Sequence, residues 1–470
     1  MKSSMLPGAV HPTPPMLDVG PARPTTAASE AAFNPKVDYH LTAAERNGMR
    51  AASGGESTQQ ALLSKLFGMQ DASRSAREAK LRKGGQVTYN MNLVAENYRD
   101  AVAKLAPGVR PSAVLKADAY GGDAGMFART LVGAGCRDLF VATLDEAMTL
   151  RESIPDPEVR VYALHGPRPE TEELFLQHQI TPVLNSLSQV ERWNDKANQE
   201  NQQAQPRDTG AILQFDSGMK RAGLSGAELD TLTHHPAFLS QFPVRYVMSH
   251  LANADEPGAA SNEAQLATFL GQRDRIRAQH PEAGASLAAS AGVFLGPQFH
   301  LDMVRLGGLL QGMKPVPGKN PMHPVITAEG KIMQVRHLPA GVGAGYNLTG
   351  AADHPRRVAL VEVGFVDGVA RALSNKGSFS LGEHVLPIVG KVSMDTVMID
   401  VTSAPEHLTG EGAALEYIGE HQLVDTVAQQ AGTVPAAVTA QLGERWHREY
   451  VGPFGRIDRD PQGGNGSGRS

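Results

Sequence analysis

Pro111-Ser-Ala-Val-Leu-Lys-Ala-Asp-Ala-Tyr-Gly121 is the stretch from which the rest of the chain is read. Ser112 to Leu115 is a short apolar run of the length a buried strand needs, and it ends on a lysine. A lysine at such a point lies at the mouth of a sheet or barrel, half out of water, where its ammonium gives up its proton more easily and becomes a nucleophile toward aldehydes. The bland alternative is a lysine snorkelling at a strand end beside a tyrosine that merely packs. Tyr120 follows four residues after Lys116, and Gly121-Gly122 allows a sharp turn into the next helix.

A chain of 470 residues is too long for one small core and suits a large barrel with a second domain. With 41% apolar and 20% charged residues it reads as an ordinary globular protein. A net charge of −5 without a long basic run gives no reason to expect a nucleic-acid surface, and no stretch approaches the ~20 apolar residues of a membrane span. The single cysteine, Cys136, excludes an intramolecular disulfide and a thiolate metal cluster; it is expected to be an inert, packed thiol. No metal site is expected.

Residues 1–84 have a different texture. The first thirty hold six prolines and only Asp18 and Glu30 as acids, a composition that buries too little apolar area to offset its ordering entropy. Ala61 to Phe67 could add a short amphipathic helix, and the segment is expected to be disordered or partly helical, either an idle tail or an address. From Gln86 the pattern becomes regular. Strand-like runs at 86–89, 112–115, 139–142, 159–164, 180–184, 211–216, 244–249 and 286–289 alternate with helical stretches, among them one capped by Thr143 with Glu146 in the capping-box position. About eight such alternations predict a (β/α)8 TIM-type barrel over 85–320. No Gly-x-Gly-x-x-Gly follows the first strand, which argues against a doubly wound nucleotide fold. Near Pro321 the rhythm changes to β-branched runs separated by Gly and Pro, predicting a mostly β domain over 321–456. Residues 457–470 read as a disordered tail.

Lys116-Ala-Asp-Ala-Tyr-Gly after an apolar strand resembles the pyridoxal-phosphate lysine motif of the alanine racemase family. Other segments follow in the family's order, so that the resemblance spans about Val87 to Tyr450. It implies pyridoxal 5'-phosphate as cofactor, bound covalently to Lys116, with Tyr120 on its phosphate. In Gln214-Phe-Asp-Ser-Gly-Met-Lys-Arg-Ala-Gly-Leu224, Asp216 stands at a strand end and Arg221 falls where the family has an arginine near the cofactor's phenolic oxygen and the substrate carboxylate. Gln214 occupies the position of a lysine that is often carbamylated, so another partner is expected to hold Arg221. His250 is implied against the cofactor, and Ser290 and the segment Arg305-Leu-Gly-Gly-Leu-Leu-Gln-Gly312 at the phosphate. Gly307 and Gly308 there let backbone amides converge on an anion. Arg305 is implied to face the pyridine nitrogen, which suits a racemase better than a decarboxylase because an arginine keeps that nitrogen unprotonated. Departures are Ser286 for a histidine, Ala289 for an asparagine, Ala436 for a phosphate-contacting tyrosine and Phe365 for a tyrosine.

In the β domain, Pro339-Ala-Gly-Val-Gly-Ala-Gly-Tyr-Asn347 places the family's second base on Tyr346. Met394 would offer its backbone N–H to the substrate carboxylate, with Asp395 beside it. The implied enzyme is an amino-acid racemase in which Lys116 and Tyr346 work on opposite faces of Cα. The family's tyrosine reaches in from a partner subunit, so a homodimer is implied. Two other classes stay open: a decarboxylase or aldolase on the same fold, and a degenerate relative acting as a secreted effector or binding protein. The bacterial cytoplasm is the expected compartment, with secretion through the N-terminal arm, which resembles a type III leader in composition, as the alternative.

Overall fold

The computed structural model describes residues 77–452 and 455–459; the expected helix at 61–67, most of the N-terminal arm and the far C-terminal tail lie outside them. Eight short strands form one parallel sheet: β2 (Arg110–Val114), β3 (Asp138–Val141), β4 (Arg160–Ala163), β5 (Ile180–Leu184), β6 (Ala211–Gln214), β7 (Val244–Met248), β8 (Gly284–Ser286) and β9 (Met303–Leu306). Each pairs with its neighbour in chain order, and β9 returns to pair with β2. The gap between β8 and β9 is bridged by the Asp302 amide on Ala285 O, the Arg305 amide on Ala288 O and a parallel bridge between Ala289 and Arg305. The barrel is therefore closed. Helices α1 (Met91–Val102), α2 (Ala124–Gly133), α3 (Leu144–Ser153), α4 (Glu172–Gln177), α5 (Leu187–Asn201), α6 (Gly226–His234) and α7 (Ala260–Arg277) occupy the connections. The capping box on α3 forms as expected between Thr143 and Glu146.

Two expectations are corrected. Strand β1 (Gly85–Asn90) is not a barrel strand: it pairs antiparallel with β10 (Ile326–Leu338) and parallel with β16 (His447–Gly452). Its burial alternates strictly, one face covered and one partly open, as suits a mixed sheet rather than the nearly continuous burial of barrel strands. The eighth barrel strand is instead β9, whose Met-Val-Arg-Leu run is buried throughout although an arginine interrupts its apolar pattern. The barrel's chain thus begins after residue 90.

The second sheet is organised on the thirteen-residue β10, which also pairs with β11 (Arg356–Val361) and β15 (Ala414–Ile418). The run read as one stretch from Val385 to Val401 is two strands, β13 (His384–Pro387) and β14 (Val397–Asp400), pairing with β12 (Ser378–Leu381) and β11 respectively. Two helices, α8 (Val424–Ala431) and α9 (Pro435–Thr439), precede β16, and β17 (Gly455–Arg459) ends the sheet. The β domain thus runs into the stretch expected to be a disordered tail from 457, because residues 457–459 pair with β16. Cys136 is buried, and burial pushes its thiol up to about 11, in keeping with a packed, unreactive cysteine.

At the N-terminal end of the barrel Asp138 is fully buried and accepts from the Arg110 guanidinium and from Tyr162 OH at 2.8 Å, with Arg160 3.8 Å away. This end carries stability rather than chemistry. Asp138→Ala leaves the Arg110 charge and the Tyr162 hydroxyl without their acceptor. Urea denaturation should show a loss of about 2–4 kcal/mol, below the full cost of breaking a buried pair because Arg110 still reaches solvent. Unchanged stability would mean that the cluster is merely solvated.

Candidate active site

At the opposite, C-terminal end of the barrel the strand ends surround a cavity of about 650 Å³. Lys116, Tyr120, Arg221, His250, Ser290, Arg305, Gly307 and Gly308 all line it, together with Gln214 and Ala289. Residues more than 190 positions apart in sequence are brought together because each lies on or just after the C-terminal half of a barrel strand.

Lys116 lies two residues beyond β2, and its Nζ makes no hydrogen bond among the described residues. Burial, and next the Arg221 guanidinium, lower its pKa below that of an ordinary lysine, while Glu146 works in the opposite direction. The chain then does something no local pattern announces. Ala117, Asp118, Ala119 and Tyr120 all have φ between 51° and 56°, a left-handed turn made without glycine. Each such residue costs roughly 1–2 kcal/mol, so the turn survives only because its surroundings hold it. The Ala117 amide donates to Glu146 Oε1 at 2.8 Å, and the Ala124 amide to Asp118 Oδ1 at 2.7 Å. Gln311 Nε2 donates to Ala119 O at 2.8 Å. Gly121 O accepts from Tyr89 OH at 2.8 Å and from Arg448 at 2.6 Å, so the second sheet clamps the turn from behind. Gly121 has φ +87°, and a Cβ there would stand 2.6 Å from Thr439 O on α9. Ala436 belongs to this same helix, against the lysine turn but off the cavity wall.

Beyond β9, the strand paired with the lysine strand β2, the chain continues into Gly307 and Leu309, whose amides donate to Ser290 Oγ at 2.9 and 3.5 Å. A Cβ on Gly307 would come within 2.4 Å of Tyr120 OH, so the phenol's approach to this backbone requires glycine. Burial raises Tyr120 to about 12, which keeps it a neutral donor. Hydroxyls and amides converging around a backbone that cannot bear a side chain form a cradle for an anion such as a phosphate. Together with an unpartnered lysine of lowered pKa, these residues fit a phosphorylated aldehyde cofactor.

Arg305 is buried on β9. It donates to Ser286 Oγ at 2.6 Å, to Ser249 O at 2.6 Å and to Leu287 O at 3.2 Å, and it lies 3.3 Å from His250 Nδ1. Burial lowers its pKa to about 10, so it stays charged at neutral pH. Burial first, and then the Arg305 charge, push His250 down to about 3. The imidazole is therefore neutral, and with Nδ1 facing a donor its proton sits on Nε2. Ser286, a departure in sequence, is thus a working partner of Arg305; its hydroxyl also donates to Met303 O at 2.8 Å. Sequence reasoning did not reach the supports Ser249, Gln311 and Glu146. Only the capping-box pattern at Thr143 and Glu146 signalled one of them.

Asp216 folds the loop that carries Arg221, accepting from the Gly218 and Lys220 amides at 2.8 and 3.0 Å. The expected partner for Arg221 is not found. Among the described residues neither Arg221 nor Gln214 has a side-chain hydrogen bond, and Arg221 stands in the cavity as an open cation. Tyr346, Met394 and Asp395 do not line this cavity. Tyr346 sits 65% exposed on the β domain between Gly345 at φ +63° and Asn347 at φ +66°, and Met394 is 55% exposed. Asp395 pairs with Arg445 at 2.7 Å, and Arg445 also grips Asp367. Phe365 lies near Arg371, whose guanidinium is 5.8 Å from the ring centroid.

Comparison with known proteins places these elements in one context. The family model for the N-terminal domain of alanine racemase matches residues 90–315, and that for the C-terminal domain matches 325–450. The first match begins where β1 ends, in agreement with the membership of β1 in the second sheet. An alanine racemase of Brucella canis is 40% identical over 388 residues, covering 80% of this chain and 95% of its own. A catabolic alanine racemase of Agrobacterium fabrum is 37% identical over 388 residues, covering 82% and 96%. The crystal structure of the Bartonella henselae alanine racemase with covalently bound pyridoxal phosphate superposes with a TM-score of 0.72 at 36% identity, covering 78% of this chain and 99% of that one.

Proposed function

The chain belongs to the alanine racemase family, and from that premise we propose that its substrate is alanine and that Lys116 and Tyr346 are its two proton carriers. It is a pyridoxal 5'-phosphate-dependent amino-acid racemase. The observation that carries the proposal is the meeting of an unpartnered, pKa-lowered Lys116 with an anion cradle in one cavity. The cofactor, when bound, supplies an electron-accepting ring that acidifies the substrate's Cα–H.

The chain's own residues do the rest. Lys116 would hold the cofactor covalently, and Tyr120 OH, Ser290 Oγ and the Gly307 amide would bind its phosphate. Arg305, fixed by Ser249 O, Ser286 and Leu287 O, would present a permanent donor to the ring nitrogen and give up no proton to it. This would leave the ring a moderate acceptor and favour quick return of a proton to Cα. Arg221 is free to face a carboxylate, and the backbone N–H of Met394 from a second copy, with Asp395 beside it, would complete that contact. His250, neutral, orients by hydrogen bonding. Inversion requires proton carriers on both faces of Cα, because a single carrier would return the starting isomer. Lys116 Nζ serves one face and Tyr346 Oη the other.

Since Tyr346 stands exposed and away from the Lys116 cavity, it serves the site of a second copy, and the active unit is a homodimer. Leu348, two residues from Tyr346 and 72% exposed, adds apolar surface there. The single cysteine suits a reducing compartment, and we place the enzyme in the bacterial cytoplasm. No helix among the described residues is long and apolar enough to cross a membrane.

Racemisation of L- and D-alanine, followed by optical rotation alongside serine, methionine, lysine and arginine, tests the function. Borohydride reduction and peptide mapping should place a pyridoxyl group on Lys116. A label on Lys220 or Lys391 instead, or no turnover of alanine, overturns it. A related expectation concerns Ala436: a tyrosine returned to that position restores a hydroxyl beside the lysine turn. Ala436→Tyr should tighten cofactor binding and lower kcat/KM for side chains larger than alanine by roughly 1–3 kcal/mol relative to alanine itself. Identical selectivity in both forms would show that α9 does not shape the substrate wall.

A further inference from the structure

One carboxylate joins two barrel loops immediately beside the lysine. Glu146 Oε2 accepts from the Ala142 and Thr143 amides at 2.7 and 3.2 Å, which closes the capping box of α3. Its other oxygen, Oε1, accepts from the Ala117 amide at 2.8 Å. Capping of α3 requires only the first of these, since a capping box is complete once the cap residue's amide and side chain are matched. The second bond reaches across from the end of β3 to the first residue of the left-handed turn, next to Lys116.

We propose that Glu146 is a positioning residue for Lys116, holding the lysine at the cavity mouth by anchoring the Ala117 amide. The turn that follows the lysine has four consecutive non-glycine residues at positive φ and relaxes toward ordinary backbone unless its amides and carbonyls are held. Ala119 O and Gly121 O, which are secured by Gln311, Tyr89 and Arg448, lie three and five residues beyond the lysine. Ala117 N is the held atom nearest to Lys116 along the chain, and Glu146 is its acceptor. The same carboxylate also favours the protonated amine, partly offsetting burial and Arg221. The inference rests on Lys116 being the cofactor lysine, which borohydride mapping tests separately.

Three variants of the holoenzyme separate positioning from capping. Thr143→Ala removes the hydroxyl that accepts from the Glu146 amide at 3.2 Å but leaves the Glu146 carboxylate on Ala117. It should lower the thermal midpoint while kcat stays within about threefold of the parent. Glu146→Ala should lower kcat by roughly 10- to 100-fold with KM little changed, because displacing a reacting group by about 1 Å costs on that order. Glu146→Gln, isosteric and well suited to the cap, guards against a folding failure of the alanine variant. It cannot accept from both sides at once, so kcat should again fall. Loss of the negative charge should also move the pH midpoint for trapping of the Lys116 amine by pyridoxal phosphate downward in the apoprotein. A parental kcat and midpoint in Glu146→Gln, or a Thr143→Ala variant as slow as the Glu146 variants, overturns the proposal. A borohydride label away from Lys116 would instead overturn the assignment on which it rests.

Discussion

Lys116→Ala should bind no cofactor covalently and lose racemisation by roughly 10⁴-fold or more, the upper end of what one general acid/base contributes, because the same side chain is also the point of attachment. Among the described residues no other lysine lines the cavity, so none of them offers a second amine there. Absorbance of the bound cofactor before and after borohydride, together with kcat in both directions, measures the effect. A reducible adduct persisting in Lys116→Ala, with activity near the parent's, would remove Lys116 from its role. The lowered pKa has a consequence of known sign. An amine reacts when unprotonated, so the rate at which the apoprotein captures pyridoxal phosphate should rise with pH and level off below the range of an ordinary lysine. Arg221→Ala removes the cation that helps depress it and should move that plateau to higher pH. A plateau that does not move upward would show that the Arg221 charge does not depress the amine.

Tyr346→Phe should slow racemisation by roughly 10²- to 10⁴-fold while leaving cofactor capture at Lys116 unchanged. The phenol lies outside the cavity of its own chain, so its removal disturbs none of the contacts of Arg305, Ser290 or Tyr120. Parental rates in both directions would exclude it as a base. Mixing gives a sharper test of the homodimer. In a two-fold dimer that shares its sites, a hybrid of Lys116→Ala and Tyr346→Phe subunits has one site with both residues intact and one with neither. Equal mixing and re-equilibration of two inactive proteins should therefore restore about a quarter of the parental activity. If each chain used its own Tyr346, no mixture would recover any.

The reach and the failure of local pattern are both visible in particular residues. Lys116 at the end of an apolar run, Gly307-Gly308 before a buried 3₁₀ turn, and Thr143 with Glu146 three residues on are short-range signals. Each expresses a local requirement: a strand that stops, a backbone that must approach an anion, a helix start whose amides need acceptors. These were legible, and so was the order of the motifs that pointed to the family. The membership of β1 was not. Gln86-Val-Thr-Tyr89 reads equally well as a barrel strand, and what settles its place is pairing with residues about 240 and 360 positions later in the chain. Strand β9 escaped notice for the converse reason: an arginine in a four-residue strand hides the apolar pattern, although Arg305 is buried once Ser286 Oγ and two carbonyls satisfy it.

By itself, then, the sequence determined a barrel followed by a β domain, and it singled out the residues proposed as the cofactor lysine, as the phosphate cradle and for the two faces of Cα. Tertiary structure alone decided that the lysine is followed by a left-handed turn, that Glu146, Gln311 and Arg448 hold it, that Ser286 serves Arg305, and that Arg221 has no hydrogen-bonded side-chain partner among the described residues. It also decided that Tyr346 is outside its own chain's cavity. Periodicity and motif spacing report only which faces are apolar and where the chain turns. Positive φ in Ala117–Tyr120 is unfavourable for every residue there, and it is imposed by hydrogen bonds from Tyr89, Glu146, Gln311 and Arg448, which come together only when the barrel and the second sheet are folded.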